Sequence, residues 1–505
     1  MVISTALGMA LWWDTYNYEY YSGWAFLHGF GSRFALPGQL QNYLDPQLNS
    51  IYYLLLAHLG PFGESLVVSA LEASGPALLA FVVYRAALRW NQRFPASVGL
   101  GLAAGALGLC TPLYRSELGS TASDTIITAG LVGGALLLAV ALVGSSATAR
   151  LRAALCGGAL LGITMNAKAT ALPTAIGLLG GLLLALLLGR DLIAPMKERL
   201  VTWLLAASTS LFVALVVYAP LGIMVWNRYQ NPFFPYFNSF VHSSLQKSSN
   251  FKDRRYSVES LQDWLHHFSG LLLGSRHLES GALLQRSPIL ALGFLTLCVL
   301  FAYDLIRRRH AFSLFIELST IISYVIWSST LSIYRYAAPL EIAMASILLV
   351  VTLERCERRM FVPWLVAGAC AIAIAFGGAG APVQRSAFAN ELLQLNVDAL
   401  RAANTGHMVF AAKPSAYVAT YLPASTDIVR IGGNLDAVMS GRWWTLATNH
   451  IRSTRGSWRI LINQHTSAVT ETMLANHGLR ATITSCLPLG GSHHIEFELC
   501  TLHLP

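Results

Sequence analysis

A few ionisable residues in this sequence stand where chemistry at a membrane edge would need them. Asp14 follows the first apolar run, in Trp12-Trp13-Asp14-Thr15-Tyr16-Asn17-Tyr18. A carboxylate held at that boundary can take the proton of an attacking hydroxyl. A plainer reading makes it a solvated helix end or an N-cap. Glu117 and Asp124 bracket the start of a later apolar run. Each suits the positive end of a helix dipole, and with Asp14 they could instead form a carboxylate cluster around a hydroxyl or a metal. Lys168 lies between two apolar runs with no acid near it in sequence. A lysine at depth costs roughly 2.5–3.5 kcal/mol, so it snorkels or finds an anion; a lipid-linked phosphate is a natural one. Arg335, between Tyr334 and Tyr336, offers a fork that fits phosphate oxygens or serves as an interfacial anchor. Glu72 reads as a protonated, hydrogen-bonded packer or a buried acid on a path. Glu341 reads as a partner for Arg335 or for a neighbouring helix.

Two loops would have to present a substrate to these groups. Tyr20, Tyr21, Trp24 and Leu27 recur at helical spacing and make an aromatic-rich amphipathic helix suited to the membrane interface. In Asn231-Pro232-Phe233-Phe234-Pro235-Tyr236, two prolines stop a helix and predict a rigid extended segment over the site. Tyr18, Asn231 and Tyr236 are the loop residues expected to meet substrate. Lys252-Asp253-Arg254-Arg255 and the amphipathic stretch 258–268 read as a surface helix on lipid headgroups or as a lid over a lipid carrier.

The elements that must position these residues are membrane helices. The chain is 54% hydrophobic and 12% charged, with mean hydropathy +0.52, and its charged share is about half that of soluble domains. The apolar residues come in long blocks, which mean membrane spans. Candidate spans are 2–13, 65–88, 97–109, 125–143, 153–165, 169–188, 200–225, 288–306, 311–327, 336–353 and 361–376, about eleven in all, with 51–59 a further half-span. No cleavable signal peptide is seen. The first run is short for a span, which suggests that the true start lies upstream. Basic residues recur in alternate short loops: Arg85, Arg89 and Arg93; Arg150 and Arg152; Arg190, Lys197 and Arg199; Arg307, Arg308 and Arg309; Arg355, Arg358 and Arg359. With eleven spans all five sets share one side, cytoplasmic by the positive-inside rule. The loops 14–50 and 227–287, with the tail, then lie outside. The net charge of +9 fits anionic lipid; there is no nucleic-acid motif and no basic stripe.

From about residue 377 the pattern changes. Candidate strands at 407–412, 427–431, 458–462, 480–484 and 494–499 alternate with helical stretches such as 466–476, which predicts a small α/β domain over 377–505. Gly432-Gly433-Asn434 reads as a turn. The seven cysteines form no CxxC motif. Cys486 and Cys500 lie in the tail and could pair in an oxidising compartment, which permits the bond without requiring it.

With those residues in hand, the chain resembles the GT-C superfamily, multi-spanning glycosyltransferases that use polyprenyl-phosphate sugars, and more narrowly the bacterial mannosyl- and arabinosyltransferase type. The marks are Asp14 after the first run, the flat helix behind it, Glu117 and Asp124, Lys168, the Asn231–Pro235 loop and Arg335-Tyr336, in that order along 2–376. The fold class implied is mainly α, a polytopic transmembrane bundle over 1–376 with a small extracytoplasmic α/β tail. The resemblance implies that Asp14 is the base, that Lys168 and Arg335 meet the donor phosphate, and that the anomeric configuration inverts. It implies a polyprenyl-phosphate sugar donor, a cell-envelope glycan or glycolipid acceptor, membrane lipid around the chain and a multi-pass place in the bacterial inner membrane, with no nucleic acid. No residue is assigned as a metal ligand, and no Asp-Asp or Asp-Glu pair follows the first run; a divalent metal, Mg or Mn, stays open. The alternatives are a transporter or flippase of lipid-linked sugars, for which Glu72 is the best sign, and a non-catalytic assembly scaffold.

Overall fold

The computed structural model describes residues 2–89, 94–122, 124–250, 256, 258–276, 278, 284–307, 310–330, 332–356, 361–378, 384–388, 394–491 and 495–505. Arg93, Arg308, Arg309, Arg358, Arg359 and 252–255, named above, lie outside the described residues, as does His494. In chain order the elements begin with α1 (Val2–Leu7), β1 (Met9–Leu11), a π-helix (Thr15–Glu19) and α2 (Tyr20–His28). Helices α3 (Pro46–Arg89), α4 (Phe94–Leu109), α5 (Pro112–Glu117), α6 (Ile127–Val143), α7 (Ala147–Ala167), α8 (Leu172–Leu188) and α9 (Met196–Tyr229) follow. Next come α10 (Asn238–Val241), α11 (Leu261–Leu273), α12 (Pro288–Arg307), α13 (Ala311–Thr330), α14 (Ala338–Cys356) and α15 (Phe361–Ala375). The tail holds β2 (Gln384–Ser386), α16 (Val397–Ala403), β3 (His407–Phe410), β4 (Asp427–Arg430), α17 (Leu435–Val438), α18 (Gly441–Ser453), β5 (Trp458–Asn463), α19 (Ser467–Asn476), β6 (Thr482–Gly490) and β7 (Phe497–His503).

Among the described residues six helices are long and apolar enough to cross a membrane: Pro46–Arg89, Ala169–Leu188, Met196–Tyr229, Pro288–Arg307, Ala311–Thr330 and Tyr334–Arg355. Phe94–Leu109, Ile127–Val143 and Phe361–Ala375 are shorter apolar helices. That is fewer than the eleven or so spans expected. The first apolar run accounts for part of the difference: it is a six-residue helix that ends at Gly8 and gives way to a strand, β1, paired with β2. The expected half-span 51–59 is joined to the next run in α3, with a break at Gly60 (φ 66°, ψ 178°). Only glycine takes that conformation readily, and Pro61 follows it.

The chain divides into two compact units. One comprises 67–217 and 253–384, the other 2–66, 218–252 and 385–505. The first is the main helical unit. In it α8 and α13 pack tightly, where small residues let the backbones approach. A Cβ on Gly177 would lie 2.0 Å from Ser323 Oγ and 2.7 Å from Ser319 O; one on Gly181 would lie 2.1 Å from Ser319 Oγ. Helix α11 begins in a capping box, Asp263 N–H donating to Ser260 Oγ at 3.1 Å and Ser260 N–H to Asp263 Oδ2 at 3.0 Å. Leu261, Leu265 and Leu273 on it are exposed. Arg355, expected in a short loop, lies in the last turn of α14 and is largely buried, bonded to Asp304 at 2.5 Å and to Glu317. Ionisable groups are therefore not confined to the helix ends that carry Lys168 and Arg335.

The second unit is built on a five-stranded sheet of order β4-β3-β5-β7-β6. β3 pairs in parallel with β4 (Val409 with Val429) and with β5 (Val409 with Ile460), and β7 runs antiparallel to both β5 and β6. Met408-Val409-Phe410 and Ile460-Leu461-Ile462 are fully buried runs, as central parallel strands covered on both faces require. The five strands match the sequence expectation in order. Cys486 and Cys500 form a disulfide between β6 and β7.

Candidate functional site

In the helical unit the loop 111–124, called the second outer loop below, is largely buried and brings Asp124 onto residues far away in sequence. Asp124 is fully buried just before α6. Lys168, at the turn where α7 ends and a short 3-10 segment (Ala169–Ala171) begins, lies with its Nζ 2.9 Å from Asp124 Oδ2 and also donates to the Ala122 carbonyl. Thr170 Oγ1 donates to the other carboxylate oxygen at 2.8 Å. The lysine without an acidic neighbour in sequence thus has one in space. Both side chains are at most 8% exposed; a buried ion pair is stable only with such extra bonds.

Glu72 joins the same loop. Its carboxylate accepts from Gly119 N–H at 2.7 Å and from Thr125 Oγ1 at 3.0 Å, so Glu72 is tied one residue away from Asp124. Burial pushes the Tyr114 phenol up, and the Glu72 carboxylate adds to the shift. Glu117 is buried at the end of α5. Arg335 is half-buried and its guanidinium lies 5.2 Å from the Tyr336 ring centre. Arg335, Asp124 and Lys168 are all electrostatic neighbours of the Tyr336 hydroxyl, so these residues share one locality. In the sequence Tyr336 is marked only as the neighbour of Arg335. Glu341 accepts from Leu113 N–H at 3.4 Å and lies beside Tyr334 and Ser287, a partnership with the second outer loop and its surroundings.

Residues one helical turn beyond Asp124, Thr170 and Arg335 line a cavity of about 140 Å³ whose wall is mostly apolar. Thr128, Thr174, Ser323, Pro339 and Leu340 are among its lining residues. Thr128 follows Asp124 by a turn, Thr174 follows Thr170, and Pro339 follows Arg335.

The other unit carries the remaining candidates. Asp14 stands at the start of the π-helix without a side-chain capping bond to it, and Trp12 Nε1 donates to its Oδ2 at 3.2 Å. Single-turn π segments concentrate at functional positions. Glu19, not singled out from sequence, is buried and accepts from Thr15 Oγ1 at 3.4 Å. Tyr18 is buried. Asn231 is fully buried and spends its amide on its own loop: Nδ2 donates to Tyr236 O at 2.8 Å and Gln246 Oε1 at 2.7 Å, and Oδ1 accepts from Phe233 N–H at 2.9 Å. That makes Asn231 a fastener of the loop and leaves the exposed Tyr236 ring as its substrate-facing candidate.

Asp124 and Glu72 are each held by protein partners. Asp124 is neutralised by an ammonium and bonded to a hydroxyl, and both Glu72 oxygens accept bonds. Among the described residues the one group with metal-ligand spacing is Cys486, Glu498 and Cys500, and those cysteines are joined to each other.

No family model and no curated protein matches the chain. Solved structures do. ArnT from Cupriavidus metallidurans in its apo state aligns with a TM-score of 0.52 at 12% identity, over 99% of this chain and 95% of that one. The Archaeoglobus fulgidus oligosaccharyltransferase in its apo form aligns with a TM-score of 0.50 at 11% identity, over 93% of this chain and 67% of that one. Over nearly its whole length, then, the chain shares its fold with ArnT, and over 93% of it with the oligosaccharyltransferase.

Proposed function

We propose that the protein transfers a sugar from a polyprenyl-phosphate donor to a cell-envelope glycan or lipid acceptor on the extracytoplasmic side, with inversion. The observation that carries this reading is the Lys168–Asp124–Thr170 group with Arg335 and Tyr336, set a turn from an apolar cavity. The lipid phosphate would meet Lys168 and Arg335, and the first isoprene units would enter the cavity. The acceptor hydroxyl oxygen forms the new bond to the anomeric carbon while the bond from that carbon to the phosphate oxygen breaks. The electron pair leaves with the phosphate, where Lys168 and Arg335 stabilise it, and the hydroxyl proton passes to the Asp14 carboxylate. The reading requires Asp14 to reach the acceptor of a sugar held in this way. No step is routed through a metal. A flippase would want Glu72 lining a path, and its bonds to Gly119 and Thr125 stitch it into a loop instead.

The test is transfer by the purified chain in lipid nanodiscs from a panel of radiolabelled polyprenyl-phosphate sugars. One donor should turn over, and Asp14→Asn should lower the rate about 10²–10⁴-fold. Parent-like transfer by Asp14→Asn removes Asp14 as base. No turnover with any donor favours the transport reading.

A further inference from the structure

We propose that the α/β tail positions Asp14, using the edge of its sheet where such domains usually hold a ligand to hold the first outer loop instead. The proposal rests on the assignment of Asp14 as base. Open α/β sheets bind ligands at the carboxyl ends of their parallel strands. Here that edge is filled from within the chain. Between β3 and β5, Asn463 closes the gap, its Oδ1 accepting from Lys413 N–H at 3.0 Å and its Nδ2 donating to Lys413 O at 2.9 Å. Over β3 and β4 lies the segment 34–39. Arg430, the last residue of β4, donates its N–H to Phe34 O at 2.9 Å and its Nη1 to Pro37 O at 3.4 Å and Ala412 O at 2.7 Å. Asn434 N–H donates to Gln39 Oε1 at 2.6 Å. The Phe34 ring packs on Trp443 and His450 of α18.

Three features show a fit made for this segment. Leu36 and Gln39 have positive φ, 29° and 58°, which residues with side chains hold only where the surroundings fix them. Gly433, at φ 77°, leaves room for the amide of Gln39: a Cβ there would lie 2.0 Å from Gln39 Oε1. Arg430 is fully buried, and burial pulls its pKa down to about 9; the carbonyls it serves come from both the sheet and the loop. Asp14 is bracketed by the same unit on its near sides. β1, which ends three residues before it, pairs with β2, and Tyr16, two residues after it, sets its ring edge-on to Tyr417 at 5.8 Å.

Gln39 and Gly433 are thus positioning residues, acting through the loop that carries Asp14. The test uses the full chain in nanodiscs with Gly433→Ala, Gln39→Ala and Gln39→Glu, the last keeping an acceptor oxygen for Asn434 N–H. Hydrogen exchange should rise at residues 14–43 in the first two variants and not in the third. Transfer turnover should fall about tenfold to a hundredfold in the first two, with donor KM within about twofold, and recover in Gln39→Glu. Unchanged exchange at 14–43 in both variants overturns the proposal, whatever the chemistry. So does freed exchange with parent-like turnover. Parent-like turnover by Asp14→Asn is a separate result, and it removes the base assignment itself.

Discussion

Lys168 and Asp124 lie 44 residues apart in sequence and 2.9 Å apart in space. The sequence shows that a lysine flanked by apolar runs needs an anion. It does not show which, because the partner arrives from the loop before α6. The same holds for Glu72, whose donors come from the second outer loop. Removing one half of a buried pair leaves a bare charge, and that typically costs about 3–5 kcal/mol. We therefore expect Lys168→Met to lower the thermal midpoint sharply. The double variant Lys168→Met/Asp124→Leu should regain most of that stability, since neither charge remains, yet stay inactive. Regained transfer in the stable double variant, measured beside its melting curve, would make the pair purely structural. Arg335 and Tyr336 were readable as neighbours, while their convergence with Lys168 needed three helices in place.

Most helices were legible because their apolar blocks are long, and the tail strands because alternation replaces those blocks. The run 2–13 misled, since its apolar residues serve a short helix and a strand in place of a span. Length was the clue: twelve residues cannot cross about 30 Å of hydrocarbon as a helix. Two elements lend themselves to direct tests. In α8, Gly177→Ala must push Ser319 and Ser323 away, so it should destabilise by about 1–3 kcal/mol; an unchanged melting curve would contradict the close α8–α13 contact. In α11, burial pulls the His267 imidazole down to about 4, and its ring packs against Trp327 at 5.3 Å. The ordinary pKa is about 6.5, so between pH 6.5 and 4 the unfolded chain binds a proton that the folded one does not. Stability is therefore full above pH 6.5 and is lost as pH falls toward 4, by ~1–3 kcal/mol. His267→Phe should flatten that slope in melting curves taken across this range; an equal slope in both would remove the cause.

For the molecule as a whole, we propose a sidedness from charge: the loops with Arg150 and Arg152 and with Arg190, Lys197 and Arg199 would face the cytoplasm, and the Cys486–Cys500 bond suits an oxidising compartment for the tail. Alkaline phosphatase fused after Pro505 should be active, and fused after Ser145 or Ala194 inactive; the reverse pattern would invert the topology. The central claim is that a lipid phosphate sits at Lys168 and Arg335 with its chain in the apolar cavity. Native mass spectrometry of the purified chain with equal polyprenyl phosphate and polyprenol tests it most directly. We expect the phosphate to bind and the alcohol to bind far less, with phosphate binding lost in Lys168→Met and Arg335→Met and kept in Asp14→Asn. Equal binding of the phosphate and the alcohol, or full phosphate binding by both cation variants, would contradict the claim.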